Sequence, residues 1–273
     1  MKKYDNLTIR QSNKNPLPVS IIGKYGLDKC IFIDIECTGF SKEEDGIFCI
    51  SIGKLFDDRY EVTVCFNPYD EANLLNEVEP LLRCENICTF NGIAFDEPFI
   101  NARLKKYNID EVSYKNHYDF YRILQPYTKG LGSKGCSLKS FEELVGISRI
   151  DEIDGKECRD KFLLYLEQQD ETLVKAIIQH NLEDVLELPK LFLILNKIKS
   201  ENILRDDALS INEIRYISRL IQKRNIIIED IKFNYLSTKD SRRLIYQLRQ
   251  KIIDYNEIDN ILKANHKQAK IYE

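Results

Sequence analysis

Two carboxylates, Asp34 and Glu36, interrupt the run CIFIDIECTGF (Cys30 to Phe40), which is otherwise apolar and β-branched. A run of this kind, stopped at Thr38-Gly39, predicts a buried strand over residues 30–36. Side chains two apart on a strand share a face, so both acids point the same way. Carboxylates that close repel each other, and burying them is costly unless a cation joins them. The chain must therefore supply either a metal site or a solvated strand end at this point, and this feature alone leaves both open.

The surrounding pattern sets the fold class. Ile47 to Phe56 and Tyr60 to Pro68 read as strands, with Asp57-Asp58-Arg59 as the turn of a hairpin. The first three strands thus form an antiparallel meander. Asp70 to Leu82 has helical spacing, with Leu74, Leu75, Val78, Leu81 and Leu82 on one face. A short strand, Ile87 to Phe90, a helix, Phe95 to Tyr107, and a fifth strand, Tyr114 to Tyr118, follow. From Asp119 the pattern is helical: one helix opens at Ser137, another spans Lys161 to Gln168, and a long one runs from Glu171 to Ile198, broken near Pro189. The expectation is an α/β fold, a mixed five-stranded sheet with flanking helices.

Residues 1–27 are polar, carry Pro16 and Pro18, and read as an extended N-terminal arm. Residues 28–199 form the main domain. Residues 200–273 read as a small C-terminal helical module, because Ser210/Glu213 and Ser237/Asp240 have capping-box spacing ahead of apolar faces. Those faces are Ile214, Ile217, Leu220 and Ile221, then Leu244, Ile245, Leu248 and Ile252. The loop 128–136, TKGLGSKGC, reads as mobile, either a connector or a segment facing substrate.

Charge divides along the same line. Residues 196–273 hold 16 Lys+Arg and 11 Asp+Glu, a net +5, while residues 1–195 carry −9. An acidic larger part suits a cation site, and a basic tail suits a polyanion or a protein partner, although +5 is also an ordinary solvated surface. No apolar run reaches the roughly 18 residues of a membrane helix, and no leader follows the first lysines, so a cytoplasmic protein is expected. The eight cysteines form no C-x-x-C pair and only three histidines are present, which argues against zinc and against a disulfide framework.

Two further motifs carry acids. In Asn91-Gly92-Ile93-Ala94-Phe95-Asp96 a strand ends, a glycine turn follows and Asp96 opens a helix, which by itself is also what a cap looks like. In His180-Asn-Leu-Glu-Asp184 the i, i+4 spacing puts His180 and Asp184 on one helix face, which by itself also fits a surface ion pair. Taken together, Asp34, Glu36, Asp96 and Asp184 can converge at one sheet edge. Two Mg²⁺ or Mn²⁺ ions would neutralise four carboxylates, and oxygen ligands favour these hard ions. Such a pair clamps the attacking and leaving oxygens of a phosphodiester. A histidine, which ordinarily titrates near neutrality, is suited to take the proton of a water, and His180 is placed for that role. The chemistry these residues share is phosphodiester hydrolysis.

FIDIECTG, FNGIAFD and HNLEDV resemble the three exonuclease motifs of the DEDD, or DnaQ-like, enzymes of the ribonuclease H-like fold. The stretch Cys136 to Gly155, the segment FLLYL (Phe162 to Leu166) and HNxxDVL resemble more closely the YprB-like ribonuclease H-like family. The resemblance covers about residues 28–195. It implies a 3′–5′ exonuclease on DNA or RNA, with structure-dependent endonuclease action or a catalytically silent nucleic-acid-binding module as alternatives. By this resemblance Asp34 and Glu36 are the D-x-E pair, with Asp34 bridging both metals. Asp96 serves the outer metal, directly or through its waters, and Asp184 and His180 complete the third motif. The HNxxD spacing equals that of the Tyr-containing group, with His in place of Tyr, so His180 acts as base or only orients a water. Asp119 is implied to orient backbone or a neighbouring ligand. Thr38 and Gly39 would let the terminal nucleotide approach, Asn91 would shape the turn beside the substrate, and Lys139 could approach a phosphate.

Overall fold

The computed structural model describes residues 6–150, 153–228 and 230–272. They form two compact units: residues up to Leu124 together with Cys136–Phe192, and Gln125–Gly135 together with the chain from Leu193 on.

The first unit is built on six strands in the order β1-β4-β3-β2-β5-β6. In chain order they and their helices are β1 (Leu7–Lys14), α1 (Val19–Tyr25), β2 (Cys30–Cys37), β3 (Ile47–Leu55), β4 (Arg59–Phe66), α2 (Glu71–Leu82), β5 (Asn86–Thr89), α3 (Asp96–Lys106), β6 (Asn116–Asp119), α4 (Phe120–Leu124), α5 (Leu138–Glu142), α6 (Gly155–Gln168) and α7 (Glu171–Leu186). The strands β2, β3 and β4 form the expected antiparallel meander, and β2, β5 and β6 run parallel. The sheet has six strands rather than the expected five because the segment read as an arm supplies β1, paired antiparallel with β4 from Leu7↔Phe66 to Lys14↔Arg59. Its sequence, LTIRQSNK, alternates only over Leu7 and Ile9 and is polar beyond, the pattern of an exposed edge strand. The first five residues of that expected arm lie outside the described residues.

The alternation along β2 sorts its side chains to two layers. Ile31, Ile33, Ile35 and Cys37 pack with Leu74, Leu75, Val78 and Leu82 of α2 and Phe99, Ile100 and Leu104 of α3. Leu81 leaves this face and is exposed. Phe32, Asp34 and Glu36 take the opposite face, where α6 and α7 lie. Phe48 of β3 stacks on Phe162 of α6 at 3.7 Å with the rings 3° apart. The helix α6 opens with a capping box between Asp154 and Glu157 and ends at Gln169 in the left-handed region. Asp170 then caps α7 through the Thr172 N–H. The expected break in the long helix is present: α7 stops at Leu186 and a 3₁₀ turn over Leu188–Leu191 contains Pro189.

The second unit comprises α8 (Phe192–Ser200), which starts at the last residue of the first unit, α9 (Ile211–Arg224), α10 (Thr238–Arg249) and α11 (Tyr255–Tyr272). Its core gathers Ile217, Leu236, Leu244, Leu248, Ile258 and Ile261. The Ser210/Glu213 capping box is complete, while Ser237 caps through the Asp240 N–H and Ile252 is exposed. The glycine loop is held rather than free. The Asp206 carboxylate accepts the N–H groups of Lys129 and Gly130, and Asp206 N–H donates to the Pro126 carbonyl. These bonds join residues 125–135 to the helical unit. Among the described residues no helix is long and apolar enough to cross a membrane. All eight cysteines are free thiols.

Candidate active site

The end of β2, the start of α3 and the middle of α7 meet at a cavity of about 690 Å³. Asp34, Glu36, Asp96, His180 and Asp184 all line it. Each arrives by a local rule. The D-x-E spacing puts both strand acids on the α7 side, and the register of β2 against β3 shifts between Glu36 and Cys37. A shift of this kind bends the strand end and re-aims its side chains. Asp96 is the first residue of α3, where the free backbone N–H groups favour a carboxylate. The i, i+4 spacing on α7 brings His180 and Asp184 to the same face, and Tyr60 locks that helix to the sheet by donating its hydroxyl to the Val185 carbonyl at 2.8 Å.

Within the cavity, His180 Nε2 lies 3.4 Å from Glu36 Oε1 and 3.8 Å from Asp184 Oδ2. Glu36, His180 and Asp184 each offer a ligand atom, all within 4.8 Å of one another. Asp34 is fixed by Asn181, whose amide donates to Asp34 Oδ2 at 2.7 Å. Asn181 in turn accepts the Ser51 hydroxyl at 2.6 Å. Asp96 Oδ1 accepts the Ile35 N–H at 3.2 Å, which ties α3 to the strand carrying both acids. Burial pushes the Asp34 carboxyl well above the usual carboxylate range, and the charges of Asp184, Asp96 and Glu36 push the same way, against the Asn181 bond. Burial likewise pushes Asp96 up to about 7, although backbone N–H donors, including that of Ile35, oppose it. A cavity that holds several carboxyls against their preference for water is short of positive charge. Four oxygen donors and an imidazole match a hard divalent cation.

Part of that charge is supplied by a residue the sequence reading overlooked. Arg149 grips Glu142 with Nε at 2.5 Å and Nη2 at 2.6 Å, and its Nη1 bonds Asp184 Oδ1. Its side chain is 6% exposed. Burial disfavours the guanidinium charge, but Glu142 and Asp184 outweigh it and the Arg149 pKa is raised. Asn181 was overlooked as well. One signal was available for it, its place directly after His180 within the HNLED motif. No spacing rule points to Arg149, because it lies in irregular chain after a 3₁₀ turn and Gly146. Asp151 and Glu152, within the YprB-like stretch, lie outside the described residues.

A family model described as RNase_H superfamily matches residues 31–196, more than half of the chain. The chain belongs to the RNase H superfamily. It is 25% identical over 179 residues to the uncharacterized protein YprB of Bacillus subtilis (strain 168), covering 63% of this chain. It spans only 43% of that relative's length. Similar solved structures include the family B DNA polymerase of the archaeon Pyrobaculum calidifontis (TM-score 0.44, 16% identity, 74% of this chain and 30% of that one). A nuclease in its apo form gives TM-score 0.38 at 13% identity, over 64% of this chain and 74% of that one. A zinc-bound E. coli ExoI–ssDNA complex gives TM-score 0.35 at 14% identity, over 62% of this chain and 43% of that one.

In this RNase H superfamily member the remaining sequence-derived residues divide. Asp119 is buried at the end of β6 and accepts the N–H groups of Asn91 at 2.9 Å and Ile93 at 3.1 Å. It thereby shapes the turn that delivers Asp96, and Asn91 holds a left-handed φ of 70° within that turn. Asn91 and Gly39 line the cavity; Thr38 does not. Thr38 closes the 38–46 loop instead, donating to Asp45 Oδ1 and accepting the Gly46 N–H. A Cβ on Gly39 would lie 2.3 Å from the Asp45 carboxylate and would displace it from its bonds within the loop. Lys139 lines the cavity but donates to the Ile153 carbonyl at 2.6 Å, which spends one of its three donors on the chain itself. Phe95 is partly buried against the core and meets Phe40 edge-on at 6.0 Å. Phe40, which the sequence did not single out, lines the cavity and is 81% exposed.

Proposed function

We propose that the chain is a divalent-metal-dependent nuclease that hydrolyses phosphodiester bonds of DNA or RNA, acting as a 3′–5′ exonuclease. The observation that carries this reading is the convergence of Asp34, Glu36, Asp96, Asp184 and His180 on one cavity. Asp34, Glu36, Asp96 and Asp184 would hold two Mg²⁺ or Mn²⁺ ions through their carboxylate oxygens, with the His180 imidazole outside the ligand set. When bound, such ions lower the pKa of water and offset charge on a phosphate. His180 Nε2 takes the proton of the attacking water, with Glu36 and Asp184 beside it to stabilise the imidazolium.

The rest of the cavity suits a polynucleotide. Lys139, Lys156 and Arg159 also line it and supply positive charge for phosphate contacts around the scissile bond. Phe40 offers an exposed ring on which a terminal base can stack. The second unit contributes affinity for the same nucleic acid or for a protein partner. Arg215, Arg219 and Lys223 follow at intervals of four on α9 and are all exposed. Like charges so spaced repel on an isolated helix and are relieved by a phosphate backbone.

The test is cleavage of 5′-labelled single- and double-stranded DNA and RNA in Mn²⁺ and Mg²⁺. A ladder shortening from the 3′ end, absent for Asp34→Asn and Asp184→Asn variants of native circular dichroism, is the expected result. Full activity in either variant, or robust cleavage driven by Ca²⁺, removes this mechanism.

A further inference from the structure

Asp184 lies in the last turn of α7, where the helix dipole disfavours a carboxylate. Its two oxygens face different groups. Oδ2 is directed toward His180, and Oδ1 meets Arg149. The guanidinium is itself immobilised, because Glu142 takes two of its N–H groups in a fork and both side chains are almost fully buried. Next to it, the Ile150 N–H donates to Glu183 on the same helix at 3.2 Å, a second tie between this segment and α7.

We propose that Arg149 is a positioning residue: held by Glu142, it fixes one oxygen of Asp184 so that the other is presented to the metal. The inference rests on the metal-dependent reading above. A planar guanidinium suits the task because it can close a two-point fork on one carboxylate and still direct a third N–H to another; an ammonium has no such fixed geometry. Outer partners of this kind, when removed, typically cost about 10- to 100-fold in metal affinity.

The experiment is Mn²⁺ titration of the full chain by calorimetry, without substrate. The proteins are the native chain, Asp34→Asn, Arg149→Lys and the double variant Arg149→Met/Glu142→Gln. The double variant removes both buried charges together, so neither is left unpaired; a thermal melt reports whether it folds. The expected result is Mn²⁺ affinity about 10- to 100-fold weaker in the folded double variant and a smaller loss in Arg149→Lys. Equal or tighter binding in the double variant overturns the proposal, because the guanidinium is then a bystander or a competitor of the ion. If the double variant does not fold, Arg149→Lys decides, and unchanged affinity there overturns it. Absence of Mn²⁺ binding to the native chain, or binding indifferent to Asp34→Asn, overturns the metal-dependent reading and this inference with it. Loss in Asp34→Asn alone leaves that reading standing and refutes only the role of Arg149.

Discussion

Asp96→Asn should stabilise the metal-free protein at alkaline pH and cost it about 1 kcal/mol in acid. Burial lifts the Asp96 carboxyl from an ordinary value of 3.8 to about 7. At about 1.36 kcal/mol per pKa unit, ionising it in the fold costs roughly 4 kcal/mol at pH 8. Asparagine escapes that cost and keeps an oxygen for the Ile35 N–H. Its amide N–H groups replace a carboxylate oxygen at some expense, about 1 kcal/mol. The net expectation is about 3 kcal/mol, or roughly 6–12 °C in Tm for a unit of this size. The sign follows from proton linkage. A carboxyl with a raised folded pKa binds its proton more tightly in the folded chain. Its stabilising protonation is complete below the unfolded value near 4 and is lost as pH rises through about 7. The advantage of the variant should therefore be largest at pH 8, shrink through pH 6 and give way near pH 4 to a deficit of about 1 kcal/mol. Thermal melts in EDTA across that range measure it. A variant less stable than the native chain at pH 8, or a difference independent of pH, refutes the account of a charge-starved cavity.

Three other perturbations test separate parts of the structure. His180→Ala should lower the cleavage rate by roughly 10²–10⁴ and change its pH profile, measured by single-turnover kinetics; an unchanged profile would reduce His180 to a water-orienting group. Gly53→Ala would place a Cβ 1.9 Å from the Tyr60 hydroxyl that anchors α7, so a loss of about 1–3 kcal/mol with unchanged m-value is expected in urea titration. Replacing Arg215, Arg219 and Lys223 together by glutamine should weaken nucleic-acid binding and flatten its salt dependence in an anisotropy titration, whereas an unaltered slope would free α9 of any contact with phosphate.

Much of the site was legible because it follows from periods. Two acids separated by one residue share a strand face, His180 and Asp184 share a helix face, and Asp96 falls at a strand-to-helix turn whatever the rest of the chain does. The caps of α2, α6, α7 and α9 are likewise local, each a polar side chain serving a backbone N–H within three residues. Local rules also misled. Leu81 fits its apolar stripe but is exposed, because a stripe does not say how far the neighbouring element covers it, and Ile252 is exposed because α10 ends at Arg249, before the stripe reaches it.

Pairing across sequence distance could not be read from the chain in this way. The polar segment LTIRQSNK is a strand only because β4 presents an open edge, and hydrogen-bond partners 45 to 59 residues away supply what its own side chains do not. Asp206 claims the 128–136 loop for the helical unit from more than seventy residues downstream. The Glu142–Arg149–Asp184 chain joins α5, an irregular segment and α7, and Arg149 lies past the end of any helix whose repeat would relate it to Glu142. The sequence by itself determined which residue types were available and which of them shared a face, since backbone geometry repeats every two or 3.6 residues. The tertiary structure alone decided which buried charges meet, since burial and pairing energies depend on neighbours that only the folded chain supplies.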